Sequence, residues 1–350
     1  MTAGGKQTGS ARSVAVLGAG SWGTTFAKIL ADAAAAAGDP RTIRLWGRRA
    51  EVVDQINTSH VNEQYLKDIP LPESISASTD VAAVLEGADL VVIAVPAQSL
   101  RPQLREWKGL IAPDAMVVSL MKGLELSTDA RMSEVIGEEL GLPAERIAIV
   151  SGPNLAMEIA REEPTASVVA CTDSAAAGWI ARSCTAPYFR PYTTADVVGV
   201  EIGGIVKNVI ALAVGICEGK QMGDNTKASV ITRGLAETSR LALALGGEAK
   251  TMAGLAGLGD LVATCSSPLS RNHTAGRLLG QGLTLEEVGQ KMTQTAEGIK
   301  SGQAVHELAG KLGVEMPITA AVVAVLAGKL SVDQLGPVLL SRELKPEGDY

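Results

Sequence analysis

The chain has 350 residues, which is too long for one small hydrophobic core and favours two domains. Apolar residues make up 46% of the sequence and charged residues 20%, a composition typical of soluble globular proteins. The formal net charge of −7 argues against a nucleic-acid-binding protein, because there is no overall basic field to hold phosphodiester chains. An anionic small substrate remains compatible with this charge, since a few local cations are enough to bind it.

The cysteines and the N-terminus predict the cellular compartment. The four cysteines are widely spaced and form no C-x-x-C pair, which favours reduced thiols over a disulfide framework or a zinc site. The three histidines are also too scattered to indicate a metal site. Residues 1–12 contain glycines and cations but no apolar core, so we predict a disordered tail rather than a signal peptide. These features predict a cytoplasmic protein without a metal centre.

A glycine-rich turn follows the first apolar run. The run 14–17 is typical of a strand buried on both faces, and an Ala-rich helix extending to about Ala37 follows the turn. Gly18, Gly20 and Gly23 have the G-x-G-x-x-G spacing, in which the glycines permit a tight turn, close approach of a pyrophosphate and close packing of helix on strand. We therefore predict a dinucleotide site, and an ordinary strand-to-helix turn is the alternative.

The second predicted strand, 42–47, leads into Arg48 and Arg49. An acidic residue at this place would hold the ribose hydroxyls of NAD, whereas arginine can pair with a 2′-phosphate, so the sequence favours NADPH or at least its acceptance. A solvated pair of cations is the alternative. The segment 57–72 is predicted to be an irregular connection, and its Tyr65 either lies beside the adenine or caps a loop.

Further buried strands alternate with helical segments. They are predicted at 89–96, 116–121 and 147–150, with strand-like runs at 166–170 and 189–192. This alternation indicates an α/β, Rossmann-type doubly wound sheet, whose ligands bind beyond the carboxyl ends of the strands. Pro96, Lys122 and the segment 151–154 fall at such ends.

The second half of the chain is helical in pattern. We predict a disordered tail at 1–12, a dinucleotide-binding domain at 13–193 and an all-α substrate domain at 194–345. The run 197–217 is long and apolar enough to suggest a membrane span, but Lys207 and Asn208 lie at its centre, where charge is expensive in lipid. A buried helix of a globular protein, packed closely through its glycines, is the better interpretation.

Lys207 has mostly apolar neighbours on its side of this helix. Such a lysine must be paired, reach a ligand or have a lowered pKa, and a pKa near neutrality suits an acid/base that exchanges a proton with a substrate oxygen. The alternative is a lysine whose amine reaches water. Asp260, in a glycine-flanked turn, is either a helix N-cap or a carboxylate that holds Lys207 or a substrate hydroxyl.

Two further segments carry polar groups at predicted helix starts. Ser270, Arg271 and Asn272 open a helix, and their hydroxyl, guanidinium and amide groups could hold a phosphate beside the N-terminal N–H groups. Glu297 either caps a helix or hydrogen-bonds the cofactor.

Taken in order, these segments resemble the bacterial NAD(P)-dependent glycerol-3-phosphate dehydrogenases from about residue 14 to 340. The resemblance rests on the motifs Gly-Ala-Gly-Ser-Trp-Gly-Thr, Val-Pro, Lys-Gly, Ser-Gly-Pro-Asn, Gly-Gly-Ile-Val-Lys-Asn-Val, Gly-Leu-Gly-Asp-Leu, Ser-Arg-Asn and Ala-Glu-Gly. It implies reversible reduction of dihydroxyacetone phosphate to sn-glycerol 3-phosphate for phospholipid synthesis, with NADPH, and also NADH, as cofactor. A homodimer is expected, without an integral membrane segment.

The resemblance also implies roles for individual residues. Lys207 matches the proton-transferring lysine, with Asp260 and Lys122 as its catalytic companions. The residues that match substrate-binding positions are Lys122, Gly152, Asn154, Lys207, Asp260, Ser270, Arg271 and Asn272. At Asn154 the family usually has Ser or Thr. The residues that match cofactor-lining positions are Gly18, Gly20, Ser21, Trp22, Gly23, Arg48, Arg49, Tyr65, Lys122, Ala156, Arg271, Thr295 and Glu297.

Two other functions are compatible with the same architecture. A 3-hydroxyacid or phosphogluconate-type dehydrogenase also joins a Rossmann domain to a helical domain and uses a lysine, but its substrate carries a carboxylate. A non-catalytic NADPH sensor would bind the cofactor without turnover, yet it has no need of Lys207, Asp260 and Lys122.

Overall fold

The structure, a computed structural model, describes residues 9–292, 296–341, 343 and 346. The chain divides into two compact units, Met1–Met121 with Arg131–Val197 and Lys122–Ala130 with Val198–Tyr350. The sequence had assigned residues 122–130 to the first domain, and this is wrong. Lys122 Nζ donates to Asp260 Oδ2 at 2.6 Å, and Lys311 Nζ donates to Asp129 Oδ2 at 2.5 Å, so ion pairs bind both ends of the segment to the second unit.

The first unit is built around one eight-stranded sheet with helices between its strands, and β3 and β4 form a second sheet of two strands. The strands are β1 (Ser13–Leu17), β2 (Thr42–Trp46), β3 (Val61–Asn62), β4 (Leu66–Pro70), β5 (Ile75–Ser78), β6 (Leu90–Ile93), β7 (Met116–Ser119), β8 (Ile147–Ser151), β9 (Thr165–Ala170) and β10 (Phe189–Thr194). The helices are α1 (Ser21–Ala37), α2 (Ala50–Ser59), α3 (Val81–Leu85), α4 (Leu100–Trp107), α5 (Met132–Leu140), α6 (Ala156–Ala160) and α7 (Ser174–Ser183).

The main sheet has the order β10-β9-β8-β7-β6-β1-β2-β5. Among the described strands, neighbours in this sheet are parallel except for β8 and β9. The strand order reverses between β1 and β6, as in doubly wound dinucleotide-binding sheets, so the crevice that such folds use for ligands lies beyond the carboxyl ends of these two strands. The α/β prediction is confirmed. The strands are apolar on both faces because helices cover both sides of the sheet.

Three details of the first unit differ from the sequence-based expectation. The segment 57–72, predicted to be irregular, contains the end of α2 and an antiparallel β3–β4 hairpin, and β5 was missed. Both strands escape a periodicity search because β3 has two residues and β5 buries little more than Ile75. The predicted disordered tail is wrong for Ala11, which is fully buried and whose N–H donates to Ser183 Oγ at 2.8 Å. Residues 1–8 lie outside the described residues.

The second unit is helical around the long helix α8 (Val197–Gly219). The other helices are α9 (Asp224–Ala244), α10 (Ala249–Met252), a π-helical turn (Leu255–Gly259), α11 (Asp260–Ser266), α12 (Arg271–Gly280), α13 (Leu285–Lys291), α14 (Glu297–Lys311), α15 (Pro317–Leu326) and α16 (Val332–Leu340). By length and composition α8 could cross a membrane, but 89% of its most apolar window is buried inside the protein. It is the centre of the core of this unit, as the polar residues at its middle predicted.

Glycines set the close packing of α8 against α12. A Cβ added at Gly215 would lie 2.1 Å from the carbonyl oxygen of His273, and one at Gly276 would lie 2.1 Å from that of Leu212. Gly219 and Gly280 make equivalent approaches one turn further on. Side chains at these four positions would push the helices apart, so the glycines hold the start of α12 beside the polar centre of α8.

Candidate active site

The three glycines of the first turn differ in whether a side chain at their position would clash with the rest of the protein. Gly18 has φ +128°, and a Cβ there would lie 2.5 Å from the Ala94 carbonyl oxygen. A Cβ at Gly23 would lie 2.0 Å from the carbonyl oxygen of Gly18, so only glycine lets α1 approach β1 so closely. At Gly20 a Cβ would meet no heavy atom within 4 Å. Packing within the protein therefore explains the first and third glycines, and the space beside the second one fits a bound pyrophosphate.

Residues at the start of α1 complete this turn. Gly20 is the N-cap, and no side chain caps the first turn, so its N–H groups can serve an anion. Ser21 Oγ donates to the carbonyl oxygen of Tyr65 at 3.2 Å, and Trp22 packs edge-on against Phe26. Trp22 Nε1 is buried without a hydrogen-bond partner among the described residues. These features fit a bound dinucleotide at the start of α1.

The β3–β4 hairpin brings Tyr65 to the end of β2. Tyr65 lies in the hairpin turn, and the guanidinium carbon of Arg49 stands 5.3 Å from the centre of its ring. Arg48 and Arg49 are both exposed and follow β2 after Gly47. The structure thus joins Ser21, Tyr65 and Arg49, three residues predicted to line the cofactor. The cation–π contact holds Arg49 in place without using its N–H donors.

The carboxyl end of β8 carries two predicted substrate residues and one predicted cofactor residue. The amide of Asn154 is buried, and neither its oxygen nor its nitrogen has a partner in the described part of the chain. Gly152 lies between it and β8. Ala156 begins α6, and its carbonyl oxygen accepts from Thr25 Oγ1 on α1 at 3.2 Å. A buried amide without partners fits a ligand-binding role, because an unsatisfied buried polar group is costly.

In the second unit, the three predicted catalytic residues are in contact, because both lysines donate hydrogen bonds to the carboxylate of Asp260. Lys207 Nζ donates to Asp260 Oδ1 at 2.5 Å, and Lys122 Nζ donates to Asp260 Oδ2 at 2.6 Å. Asp260 is 1% exposed and Lys207 is 7% exposed. Thr264 Oγ1 accepts from Lys207 Nζ at 2.7 Å and donates to Asp260 Oδ1 at 3.3 Å. The interpretation of Lys207 as a lysine that reaches water is wrong.

Two opposing effects set the charge state of this cluster. Burial lowers the pKa of Lys207 to about 8, because the neutral amine loses less on leaving water than the ammonium does. The carboxylate of Asp260 raises this pKa, and the positive charge of Lys122 lowers it. Burial also raises the pKa of Glu297, while the positive charges of Arg271, Lys122 and Lys207 oppose this rise. Lys207 is therefore an ammonium that can give up its proton near neutral pH.

Local structure places Asp260 against Lys207. Gly203 lies one turn before Lys207 on α8, and a Cβ there would lie 2.5 Å from the carbonyl oxygen of Ala256. Ala256 lies in the π-helical turn, in which Gly259 N–H donates to the Gly254 carbonyl oxygen at 3.0 Å. Such turns occur often at functional sites. Close contact at Gly203 therefore brings the chain that carries Asp260 within reach of the ammonium group.

In the predicted phosphate site, Ser270 and Asn272 already make hydrogen bonds within the protein. Ser270 is the N-cap of α12, and its Oγ accepts from the N–H of His273 at 3.3 Å. Asn272 Nδ2 donates to Asn208 Oδ1 at 2.8 Å, and Asn272 Oδ1 accepts from the N–H of Gly298 at 2.8 Å. The Ser270 hydroxyl and one Asn272 N–H still remain as donors by valence. Arg271 is exposed at the first position of the helix.

Three further residues hold the site, and sequence reasoning did not single them out for it. Thr264 lies one helical turn after Asp260, and this i, i+4 spacing was the available signal. Asn208, noticed only as a polar break in α8, holds Asn272. Asn62 hydrogen-bonds the glycine-rich turn from the hairpin that the sequence did not predict. Thr295, a predicted cofactor residue, lies outside the described residues. Within the described ranges no three His, Cys, Asp or Glu side chains could hold a metal ion.

A doubly wound sheet with this glycine-rich turn and a separate helical unit with a buried lysine–carboxylate cluster define a nicotinamide-dependent dehydrogenase. Residues 13–177 match the family model for the N-terminus of NAD-dependent glycerol-3-phosphate dehydrogenase, and residues 196–336 match that for its C-terminus. The chain belongs to the NAD-dependent glycerol-3-phosphate dehydrogenase family.

Individual relatives agree with this assignment. The chain is 58% identical to glycerol-3-phosphate dehydrogenase (NAD(P)+) of Thermobifida fusca over 95% of this chain and 98% of that protein. It is 56% identical to the protein of the same name from Streptomyces griseus over 95% and 97%. The crystal structure of glycerol-3-phosphate dehydrogenase from Coxiella burnetii superimposes with a TM-score of 0.88 at 38% identity, covering 95% of this chain and 99% of that one.

Proposed function

We propose that this protein reduces dihydroxyacetone phosphate reversibly to sn-glycerol 3-phosphate with NADPH or NADH, and that Lys207 is the proton donor. The observation that carries the proposal is the buried ammonium of Lys207, held by Asp260 and Thr264 and with a pKa lowered to about 8. Family membership supports the substrate and the cofactor. The product is the backbone of glycerophospholipids, so the protein supplies their synthesis.

The proton-transfer step follows from the chemistry of a ketone. A reduced nicotinamide dinucleotide held at the glycine-rich turn would supply the hydride that the carbonyl carbon needs. As the carbonyl double bond becomes a single bond, Lys207 Nζ gives one proton to the oxygen, so that a hydroxyl forms and a neutral amine remains. Asp260 orients Lys207, and Lys122 adds a second positive charge where negative charge develops on the substrate. In the oxidation direction the neutral amine takes the proton back.

The phosphate of the substrate is assigned to the start of α12. The Ser270 hydroxyl, the Arg271 guanidinium, the remaining Asn272 N–H and the first N–H groups of the helix are donors suited to a phosphate dianion. Binding energy at this remote group would position the carbonyl for reaction. Asn154 is assigned to a substrate hydroxyl, and Ala156 and Glu297 to the cofactor. A cytoplasmic homodimer is part of the same proposal.

Initial rates test the reaction directly. We expect oxidation of NADPH, followed by the nicotinamide absorbance, that depends on dihydroxyacetone phosphate, with NADH run in parallel. Absence of oxidation with either cofactor, in a protein that still binds NADPH, would favour a sensor. Oxidation of a 3-hydroxyacid without a phosphate would favour the hydroxyacid or phosphogluconate-type alternative.

The pH profile tests the role of Lys207. Reduction needs the ammonium form, so we expect kcat/KM for dihydroxyacetone phosphate to fall as pH rises through about 8, and kcat/KM for sn-glycerol 3-phosphate to rise over the same range. Measurements above pH 7 avoid the second ionisation of a phosphate monoester, at about 6. In a Lys207→Arg variant the residual rate of reduction should no longer fall as pH rises through this range, because guanidinium stays protonated. We call this fall the alkaline limb of the reduction profile. Persistence of the limb in that variant would assign it to another group.

Arg49 tests the preference for NADPH. We expect Arg49→Gln to lower the ratio of kcat/KM for NADPH to that for NADH by about tenfold, because an exposed charge-assisted bond to the 2′-phosphate is lost. The matched control is Lys67→Gln, which removes an exposed cation on the β3–β4 hairpin that carries Tyr65. If the NADPH-to-NADH ratio of kcat/KM stayed unchanged in the Arg49 variant, Arg49 would not bind the 2′-phosphate. This conclusion would hold even if the variant reduced dihydroxyacetone phosphate more slowly.

A further inference from the structure

Asn62 is a buried polar residue that the proposed reaction does not use. It belongs to β3, is fully buried and uses both N–H groups of its amide. Nδ2 donates to the carbonyl oxygen of Ala19 at 3.1 Å and to Thr24 Oγ1 at 2.9 Å. Ala19 lies between the first two glycines of the glycine-rich turn, and Thr24 lies in the first turn of α1. One side chain therefore connects the β3–β4 hairpin to both parts of the predicted pyrophosphate site.

The bond to Ala19 has a consequence for the next residue. The peptide between Ala19 and Gly20 is trans and planar, so its C=O and N–H point in opposite directions. By holding the Ala19 carbonyl, Asn62 turns the Gly20 N–H away from the hairpin. Open space lies beside Gly20, where an added Cβ would meet nothing within 4 Å. A backbone N–H fixed in this way is the kind of donor that binds a phosphate oxygen at a helix start.

The same hairpin contacts two cofactor-lining residues at its tip. The Tyr65 N–H donates to the Asn62 carbonyl oxygen at 3.0 Å, which closes the turn that carries Tyr65. Tyr65 in turn accepts from Ser21 and lies against the guanidinium of Arg49. These contacts concern the adenosine side, whereas the Ala19 bond concerns the pyrophosphate, which NADPH and NADH share. The two sets of contacts can therefore be separated by experiment.

We infer that Asn62 is a positioning residue for the dinucleotide: it fixes the Gly18–Gly20 turn through the Ala19 carbonyl and so sets the affinity for the pyrophosphate. It touches no reacting atom. The inference rests on the cofactor use in the proposed function but not on the role of Lys207. An amide is suited to this task because it donates two hydrogen bonds without bringing a negative charge near the pyrophosphate.

Direct binding of NADPH and NADH, measured by isothermal titration without substrate, tests the inference. The variants are Asn62→Ala and Asn62→Thr, the latter filling a similar volume with a residue favoured in strands. We expect both dissociation constants to rise by about tenfold, with the ratio between the cofactors and the KM for dihydroxyacetone phosphate unchanged, because one preset phosphate donor is lost. Circular dichroism identifies a temperature at which the variants are folded.

A control tests whether the effect is specific to Asn62. Asn57→Ala removes an amide that makes two hydrogen bonds to Ala77 elsewhere in the same unit, and it should change neither affinity. Folded Asn62 variants with wild-type affinities would show a packing role only and overturn the inference, as would a changed NADPH-to-NADH ratio. Because no turnover is measured in the titration, failure of the proposed reaction would not affect this test.

Discussion

Replacing Lys207 with methionine is expected to lower kcat for reduction of dihydroxyacetone phosphate by about a thousandfold, since a positioned general acid contributes about 10² to 10⁴. Methionine keeps an unbranched apolar side chain in a buried position, so the helix should remain packed. The dissociation constant for NADPH, measured by titration, should be nearly unchanged, because the glycine-rich turn belongs to the other unit. Steady-state rates with saturating cofactor give kcat.

The chain offers a matched lysine for this experiment. Lys220 follows the end of α8 and pairs with Asp333 at 2.6 Å, but both side chains are accessible to solvent. Lys220→Met should leave kcat unchanged, because an exposed ion pair contributes little. If a folded Lys207→Met protein kept a turnover close to that of the wild type, Lys207 would not be the proton donor.

Replacing Asp260 with asparagine is expected to have the second largest effect. Asp260 accepts from two ammonium groups, and its charge raises the pKa of Lys207 against the effect of burial. Without it the pKa of Lys207 should fall below about 8, so less ammonium is present at neutral pH and the limb of the reduction profile should move to lower pH. We expect kcat at pH 8 to fall by about a hundredfold, because the remaining amine is also poorly oriented.

The same substitution should destabilise the protein. Removing one partner of a buried ion pair typically costs about 3 kcal/mol or more, so the free energy of unfolding in urea should fall by roughly this amount. Asp333→Asn, on the exposed pair, is the control and should alter neither stability nor the pH profile. A limb that stays near pH 8 in the Asp260 variant would show that Asp260 does not set the ionisation of Lys207.

Much of the fold could be predicted because its signals are local. Buried parallel strands appear as short apolar runs, and β1, β6, β7 and β8 were found in this way. The G-x-G-x-x-G spacing needs only six consecutive residues, and α8 was identified as a buried helix because its polar residues lie at its centre. Short or half-exposed elements give no such signal, which is why β5 and the β3–β4 hairpin were missed.

The site was predictable residue by residue only through the resemblance to a family. Local chemistry left Asp260 as either a cap or a partner of Lys207, and the structure shows that it is the partner. The same chemistry left Ser270 and Asn272 as ligand-binding candidates, and the structure shows both already engaged in hydrogen bonds within the protein. Composition cannot distinguish such uses, because they depend on what the side chain meets.

The sequence by itself determined the two-part architecture, the nucleotide-binding turn and the membership of a dehydrogenase family. Each of these can be recognised from the spacing of apolar residues or from short motifs that occur in a fixed order. Only the tertiary structure decided that Lys122 belongs to the helical unit and that Asp260 holds both lysines. The partners of these bonds lie 138 and 53 residues apart in the chain. Contacts at such separations depend on how helices pack, through glycines such as Gly203 and carbonyls such as that of Ala256, and no local pattern records that packing.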